Sequence, residues 1–301
     1  MHIQYHAFVS FTEIYDFFFE LMQFSAMCGK MDAEIEFARF PVMKEADKFR
    51  PSSLFEGMTS IRAVLRAADE GTNDRSIREI LYDKDLTKSH IKEVNYLSKI
   101  APQRGFTLRA LPHEEIATLA IGTSHGGILA DCTARTLPEL TDVMQSEIRR
   151  DGFYAMLDGI EDPYNFGYAL RSIYAAGVDG VILPRRNWLS AAGVVARASA
   201  GASELLRLYT ADADEAAACF KAAGYKIVCA DKPNSTGLYE TDLQKPIFLI
   251  VGGEKRGIRA SVLRQADAVV RIDYGRDFPA ALSAASAATI IAYEVFRQNL
   301  K

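Results

Sequence analysis

The chain has 301 residues, a length that suggests about two domains. With 49% apolar and 25% charged residues it is neither disordered nor fibrous, and no uncharged apolar run approaches the roughly 20 residues of a membrane-spanning helix. Net charge is −4, all of it carried by residues 1–42, so any site for a polyanion must be a local basic patch.

In residues 1–45, Phe8, Phe11, Tyr15, Phe18 and Met22 recur at helical spacing, consistent with an amphipathic helix for a partner. Acidic residues interrupt this stretch and it lacks a basic start, so it is not a secretory signal. The preferred reading is an extension upstream of the true start codon, at Met31 or Met43. Residues 46–140 read as a small α/β domain. Helices are predicted over Thr59–Asp69 (closed by Gly71), Lys88–Ile100 and His113–Ile121, with strands over Ile77–Tyr82, Phe106–Ala110 and from Gly127 to Ala130.

From residue 146 to the end, strands and helices alternate. The strands are Phe153–Leu157, Val178–Leu183, Leu205–Tyr209, Lys226–Ala230, Ile247–Val251 and Ala268–Ile272, separated by helices such as Phe166–Ala176, Ala213–Ala223 and Ala280–Gln298. Short, nearly continuous apolar strands joined by helices imply a parallel sheet covered on both faces. Ligands of such sheets gather in the loops beyond the strands' carboxyl ends.

Those loops exclude several chemistries. The four cysteines (Cys28, Cys132, Cys219, Cys229) are scattered, and the five histidines complete no zinc-ligand spacing, which points to a reducing cytoplasm and no metal. The first strand of the second half is followed by no Gly-x-Gly-x-x-Gly, so a nucleotide-binding oxidoreductase lacks its fingerprint. Gly252-Gly-Glu-Lys-Arg-Gly257 has the glycine spacing of a P-loop, but Ile258-Arg259 stands where Lys-Ser/Thr is required. No Gly-x-Ser-x-Gly elbow supplies a serine nucleophile.

What remains is an ordered set of three segments. The strand at 153–157 runs into Asp158-Gly-Ile-Glu-Asp-Pro-Tyr-Asn165-Phe-Gly167-Tyr-Ala-Leu-Arg171. The strand at 247–251 runs into Gly252-Gly-Glu254-Lys255-Arg256-Gly257, and the last strand leads through Ile272 to Leu282-Ser283 and an alanine-rich helix. In order and spacing this set resembles the signature motifs of the SpoU/TrmH branch of the SPOUT RNA methyltransferases, over about 150 residues. The segment Arg197-Ala-Ser-Ala-Gly201-Ala resembles that family's second-helix region. More loosely, the upstream α/β unit resembles its RNA substrate-binding domain, itself related to ribosomal RNA-binding proteins.

The resemblance implies a parallel α/β sheet with a carboxyl-terminal trefoil knot, S-adenosylmethionine as cofactor, and transfer of its methyl group to a ribose 2′-hydroxyl of ribosomal or transfer RNA. It also implies a homodimer packed through the knotted domains. By position, Gly252, Ile272 and Leu282 would hold the cofactor, while Arg171, Asn165, Glu254 and Ser283 would form the catalytic set. Asn165, at the predicted helix start, is equally an N-cap. Arg185, Arg186, Lys255 and Arg256 are candidate contacts to RNA phosphates, and Tyr164 and Trp188 could stack an unpaired base. The third motif departs from the family's usual Ser-Leu-Asn-Val-Ser: Ser283 replaces the asparagine and Ala285 a serine. That departure keeps open a second reading, a non-catalytic RNA-binding or assembly factor that retains the fold.

Overall fold

The computed structural model describes residues 53–300 apart from 87, 124, 161, 186–190, 254 and 255. The expectations for residues 1–45 and for Glu254, Lys255, Arg186 and Trp188 therefore lie outside the described residues.

The first part is built on a four-stranded sheet in the order β1-β4-β2-β3, from β1 (Leu54–Glu56), β2 (Ile77–Asp83), β3 (Thr107–Leu111) and β4 (Ile128–Cys132). β4 runs antiparallel to β1 and β2, whereas β3 is parallel to β2. Helix α1 (Gly57–Glu70) places Met58, Ile61, Val64 and Leu65 on one buried stripe. Its end is set by Gly71, whose left-handed φ of 61° turns its N–H back to Ala67 and Ala68. Helix α2 (Lys88–Arg104) outruns its predicted end at Ile100. Pro102 forfeits one backbone bond, but buried Leu97 and Ala101 hold the last turns against the sheet. Helix α3 (His113–Leu119) leads toward the loop before β4.

The second part carries a seven-stranded sheet, all of whose pairings are parallel. It comprises β5 (Phe153–Asp158), β6 (Gly180–Leu183), β7 (Leu208–Thr210), β8 (Lys226–Ala230), β9 (Thr236–Gly237), β10 (Ile247–Gly252) and β11 (Ala268–Arg271), in the order β7-β6-β5-β10-β8-β11-β9. The two-residue β9 has no counterpart in the sequence reading, because so short a segment shows no apolar period. Alternation along β5 explains its unbroken apolar run. Phe153, Ala155 and Leu157 face one core, and Tyr154 and Met156 face another. The first core is covered by α5 (Pro163–Ala175) and α10 (Ala284–Gln298). The second is covered by α8 (Ala213–Ala222) and α9 (Ala260–Leu263), where Phe220 stacks on Phe248 at 4.2 Å. Two short helices, α6 (Ala192–Ala198) and α7 (Ala202–Leu205), fill the β6-to-β7 connection, and α4 (Leu140–Val143) precedes β5.

The chain lays β6 and β7 outward from one side of β5, then returns to build β8 to β11 on the other. The sheet's switch point therefore lies between β5 and β10. Among the described residues no helix is long and apolar enough to cross a membrane.

Candidate active site

At the switch point Gly252 pairs with Asp158 in register, so the loops after β5 and β10 leave the sheet at the same height. They then cross almost backbone to backbone. A Cβ on Gly253 would stand 2.0 Å from the Gly159 carbonyl oxygen, and one on Gly252 would stand 2.6 Å from the carbonyl carbon of Gly257. Neither position has room for a side chain. The turn closes with a hydrogen bond from the Gly257 N–H to the Gly253 carbonyl at 3.0 Å.

The third segment folds onto this turn. The Tyr274 hydroxyl accepts the Leu282 N–H at 3.1 Å, which draws the loop after β11 back toward the sheet. A cleft of about 270 Å³ results, near the low end of ligand clefts, which start at roughly 300 Å³. Gly252, Gly253, Ile272, Leu282 and Ile291 wall it, and Asp231, Lys232 and Tyr274 add polar groups. Gly252, Ile272 and Leu282, separated by up to 30 positions in sequence, thus share one cleft. Sequence reasoning missed Asp231, Lys232 and Tyr274. Their only signal was position beyond strand ends, and the Lys232 ammonium proves to lie 5.1 Å from the centre of the Tyr274 ring.

The other named residues are placed as follows. Asn165 is not the cap of α5: Asp162 is, accepting the Asn165 N–H at 2.7 Å, with Pro163 in the first turn. The Asn165 amide is thereby released from capping. Arg171 lies on the exposed face of α5, in line with Tyr164 and Tyr168 at i, i+4 and i+7, and has no ion-pair partner among the described residues. Ser283 caps α10: its hydroxyl accepts the Ser286 N–H at 3.1 Å and lies 3.0 Å from the Ser286 hydroxyl.

Arg185 differs most from expectation. It is ion-paired with Glu139 and lies 3.3 Å from Glu215 and 3.8 Å from Asp212, so it is no free cation for a phosphate. The hydrogen bond and the charge of Glu139 raise its pKa above the ordinary value. Arg256 is exposed and has no such partner among the described residues. Of the thiols, burial pushes Cys132 and Cys229 up to about 12, so neither supplies a thiolate near neutral pH. Cys229 precedes Ala230 of the cleft wall but packs into the second core, on the opposite face of the sheet. No group of three His, Cys, Asp or Glu side chains suited to a metal occurs among the described residues.

Residues 152–293 match the model of the SpoU rRNA methylase family. This segment belongs to that family. The residues lining the cleft, from Ala230 to Ile291, all fall inside the matched range. A TrmH-family protein of Staphylococcus saprophyticus is 29% identical over 227 residues, covering 74% of this chain and 89% of the relative. The 23S rRNA (guanosine-2′-O-)-methyltransferase RlmB of a Burkholderia species is 28% identical over 249 residues, covering 82% and 97%. Among solved structures, an AdoMet-bound rRNA methyltransferase from Sinorhizobium meliloti shares the fold with a TM-score of 0.68 at 23% identity, covering 82% of this chain and 88% of that one. All three likenesses reach well upstream of the SpoU segment.

Proposed function

We propose that this protein is an S-adenosylmethionine-dependent RNA methyltransferase acting on a ribose 2′-hydroxyl of ribosomal or transfer RNA. The observation that carries this reading is the convergence of Gly252, Ile272 and Leu282 on one cleft beyond the carboxyl ends of β8, β10 and β11. The residues fit the cofactor. A flat adenine needs aliphatic walls, which Ile272 and Leu282 supply, beside a backbone turn held in place by the close packing of Gly252 and Gly253. When bound, S-adenosylmethionine supplies an electrophilic methyl group on a sulfonium.

The chain's own residues then position the hydroxyl in line and give its proton a way out. Arg171 does not act as the base, because a charged guanidinium carries no free lone pair. It holds the adjoining phosphate as a fork and polarises the hydroxyl, and the proton leaves to water or phosphate. The Asn165 amide, free of the cap, orients the ribose, while Glu254 orders the loop it shares with Lys255 and Arg256. Those two cations, with Arg186, track phosphates, and the α/β unit at 46–140 grips RNA farther along. Ser283 contributes through the start of α10 rather than by touching the hydroxyl. The carboxyl-terminal segment threads as a trefoil knot, and two copies pair through α5 and α10. The setting is the cytoplasm.

Tritium transfer from labelled S-adenosylmethionine into ribosomal and transfer RNA, with mapping of ribose methylation, tests this; no transfer to any RNA would overturn it. The commitment of the Ser283 oxygen to a helix cap favours one second reading, a non-catalytic assembly factor. Cofactor binding by calorimetry without methylated RNA would select it.

A further inference from the structure

Two domains joined by a tether are expected to move relative to each other unless a large interface holds them. Here the join is bonded at nearly every step. The Thr133 hydroxyl accepts the Ser76 N–H at 2.9 Å, and the Thr136 N–H donates to Asp74 at 2.8 Å. The Pro138 carbonyl accepts the Thr210 N–H at 2.9 Å. Between them Arg135 donates to the carbonyls of Ser203 and Leu206 at 2.8 and 2.6 Å, and burial lowers its pKa to about 10.

The small domain also shares its core with the second part, since Ala192 and Ala196 of α6 pack among Phe55, Ile61 and Val64. At the seam lies an ion pair out of water. Arg75 donates to Glu204 at 2.8 Å, with 3% and 2% of the two side chains exposed. Arg75 also reaches the Thr133 carbonyl, and Asn73 holds the Glu204 carbonyl at 2.8 Å. Buried pairs are poor devices for stability, because desolvation offsets their attraction, but parting them strands two charges. Such a pair enforces one geometry.

We propose that Glu204 is a positioning residue for substrate selection. With Arg75 and Arg135 it locks the small domain onto the β6-to-β7 connection at one span from the cofactor cleft. An RNA is then accepted only where its gripped segment and its target ribose match that span. This rests on the reading of the chain as an RNA methyltransferase.

The test uses the full chain and three variants: R75M/E204L, which replaces the pair by apolar side chains, R135Q, and the conservative E204D. Hydrogen exchange is followed at 133–139 and 196–206, alongside cofactor affinity, kcat, KM for ribosomal RNA and the map of methylated positions. The wild type should exchange slowly there. R75M/E204L should keep cofactor affinity and kcat, exchange about tenfold faster, raise KM about tenfold and methylate additional positions. R135Q should follow more weakly, and E204D should stay near the wild type. Should R75M/E204L fail to fold, R135Q carries the test alone. Fast exchange at 133–139 in the wild type, a variant with faster exchange but unchanged KM and positions, or variants that leave exchange unchanged would each overturn the proposal. A wild type that methylates no RNA removes the functional reading and with it the selection role, whereas the exchange rates alone decide whether the domains are locked.

Discussion

Arg171 and Arg185 show why a side chain's neighbours matter more than its type. Both are exposed arginines, but three carboxylates surround Arg185, whereas Arg171, inside α5, has no ion-pair partner among the described residues. Arg171→Ala should leave cofactor affinity unchanged by calorimetry while lowering turnover by about 100-fold, the scale of a lost electrostatic contact in a transition state. Arg185→Ala should leave the salt dependence of RNA binding unchanged. Arg256→Ala should reduce the slope of log affinity against log salt by about one unit, one phosphate's worth. Equal slopes for the Arg185 and Arg256 variants would remove the distinction. The sequence could not reveal this difference, because Glu139, Asp212 and Glu215 lie 27 to 46 positions from Arg185 and meet it only through the fold. The close approach at Gly252 and Gly253 was not legible either: the sequence showed only a P-loop glycine spacing that Ile258-Arg259 breaks, and Gly252 stood out through the family resemblance alone. Gly253→Ala should abolish cofactor binding, because its Cβ would meet the Gly159 carbonyl at 2.0 Å.

Elements were legible where a period or a terminator wrote them into the chain. Lys226–Ala230 falls at its predicted bounds, and the alanine-rich last helix runs to Gln298 as expected. Its start moved from Ala280 to Ala284, because Ser283, not an earlier residue, takes the cap. The cap of α5 is also written in the sequence, as Asp162 before Pro163, three residues ahead of the motif's asparagine. Ser283→Ala should cost about 1 kcal/mol of stability as a lost N-cap, whereas Ser283→Asn should cost little, since asparagine caps equally well. Comparing both in urea unfolding and in turnover separates capping from catalysis. If Ser283→Asn gains turnover at constant stability, the amide of the family's usual residue acts beyond the cap.

A second element-level effect joins the end of β2 to the start of α3. His113 contacts Asp83 at 2.6 Å. The hydrogen bond and charge of Asp83 raise the imidazole's pKa. Burial works to raise the Asp83 carboxyl, but the hydrogen bonds from His113 and the Asp85 N–H outweigh it and leave the pKa lowered. The His113 contribution is full below its unfolded pKa of about 6.5 and is lost as pH rises through the raised folded value. The Asp83 contribution is present above about pH 3.9 and is lost as pH falls through the lowered one. Stability from this pair is therefore greatest between those limits. Urea midpoints at pH 5 and pH 8 should differ in the wild type and converge in His113→Gln; an unaltered difference would assign the pH effect to other groups.

At the scale of the molecule, the helices covering the first core leave aromatic rings in solvent. Tyr164 and Tyr168 on α5 and Tyr293 and Phe296 on α10 are each 39 to 50% exposed, and α5 and α10 share that core. Single exposed apolar residues need no explanation, but four rings on two adjoining helices amount to a surface that a partner would cover. A second copy of the chain is the partner consistent with the proposed pairing, and an isologous contact would place each ring against its two-fold counterpart. Because Arg171 lies on the Tyr164–Tyr168 stripe, such pairing would bring the other copy beside it, and the role proposed for Arg171 then couples assembly to turnover. Tyr168→Glu and Phe296→Glu each place a charge in this surface. In light scattering the wild type should have twice the chain mass and each variant the mass of one chain. Turnover should fall in both while cofactor affinity, set within one cleft, falls far less. A wild type that scatters as a single chain and turns over normally would mean that each copy works alone and that the rings serve another contact.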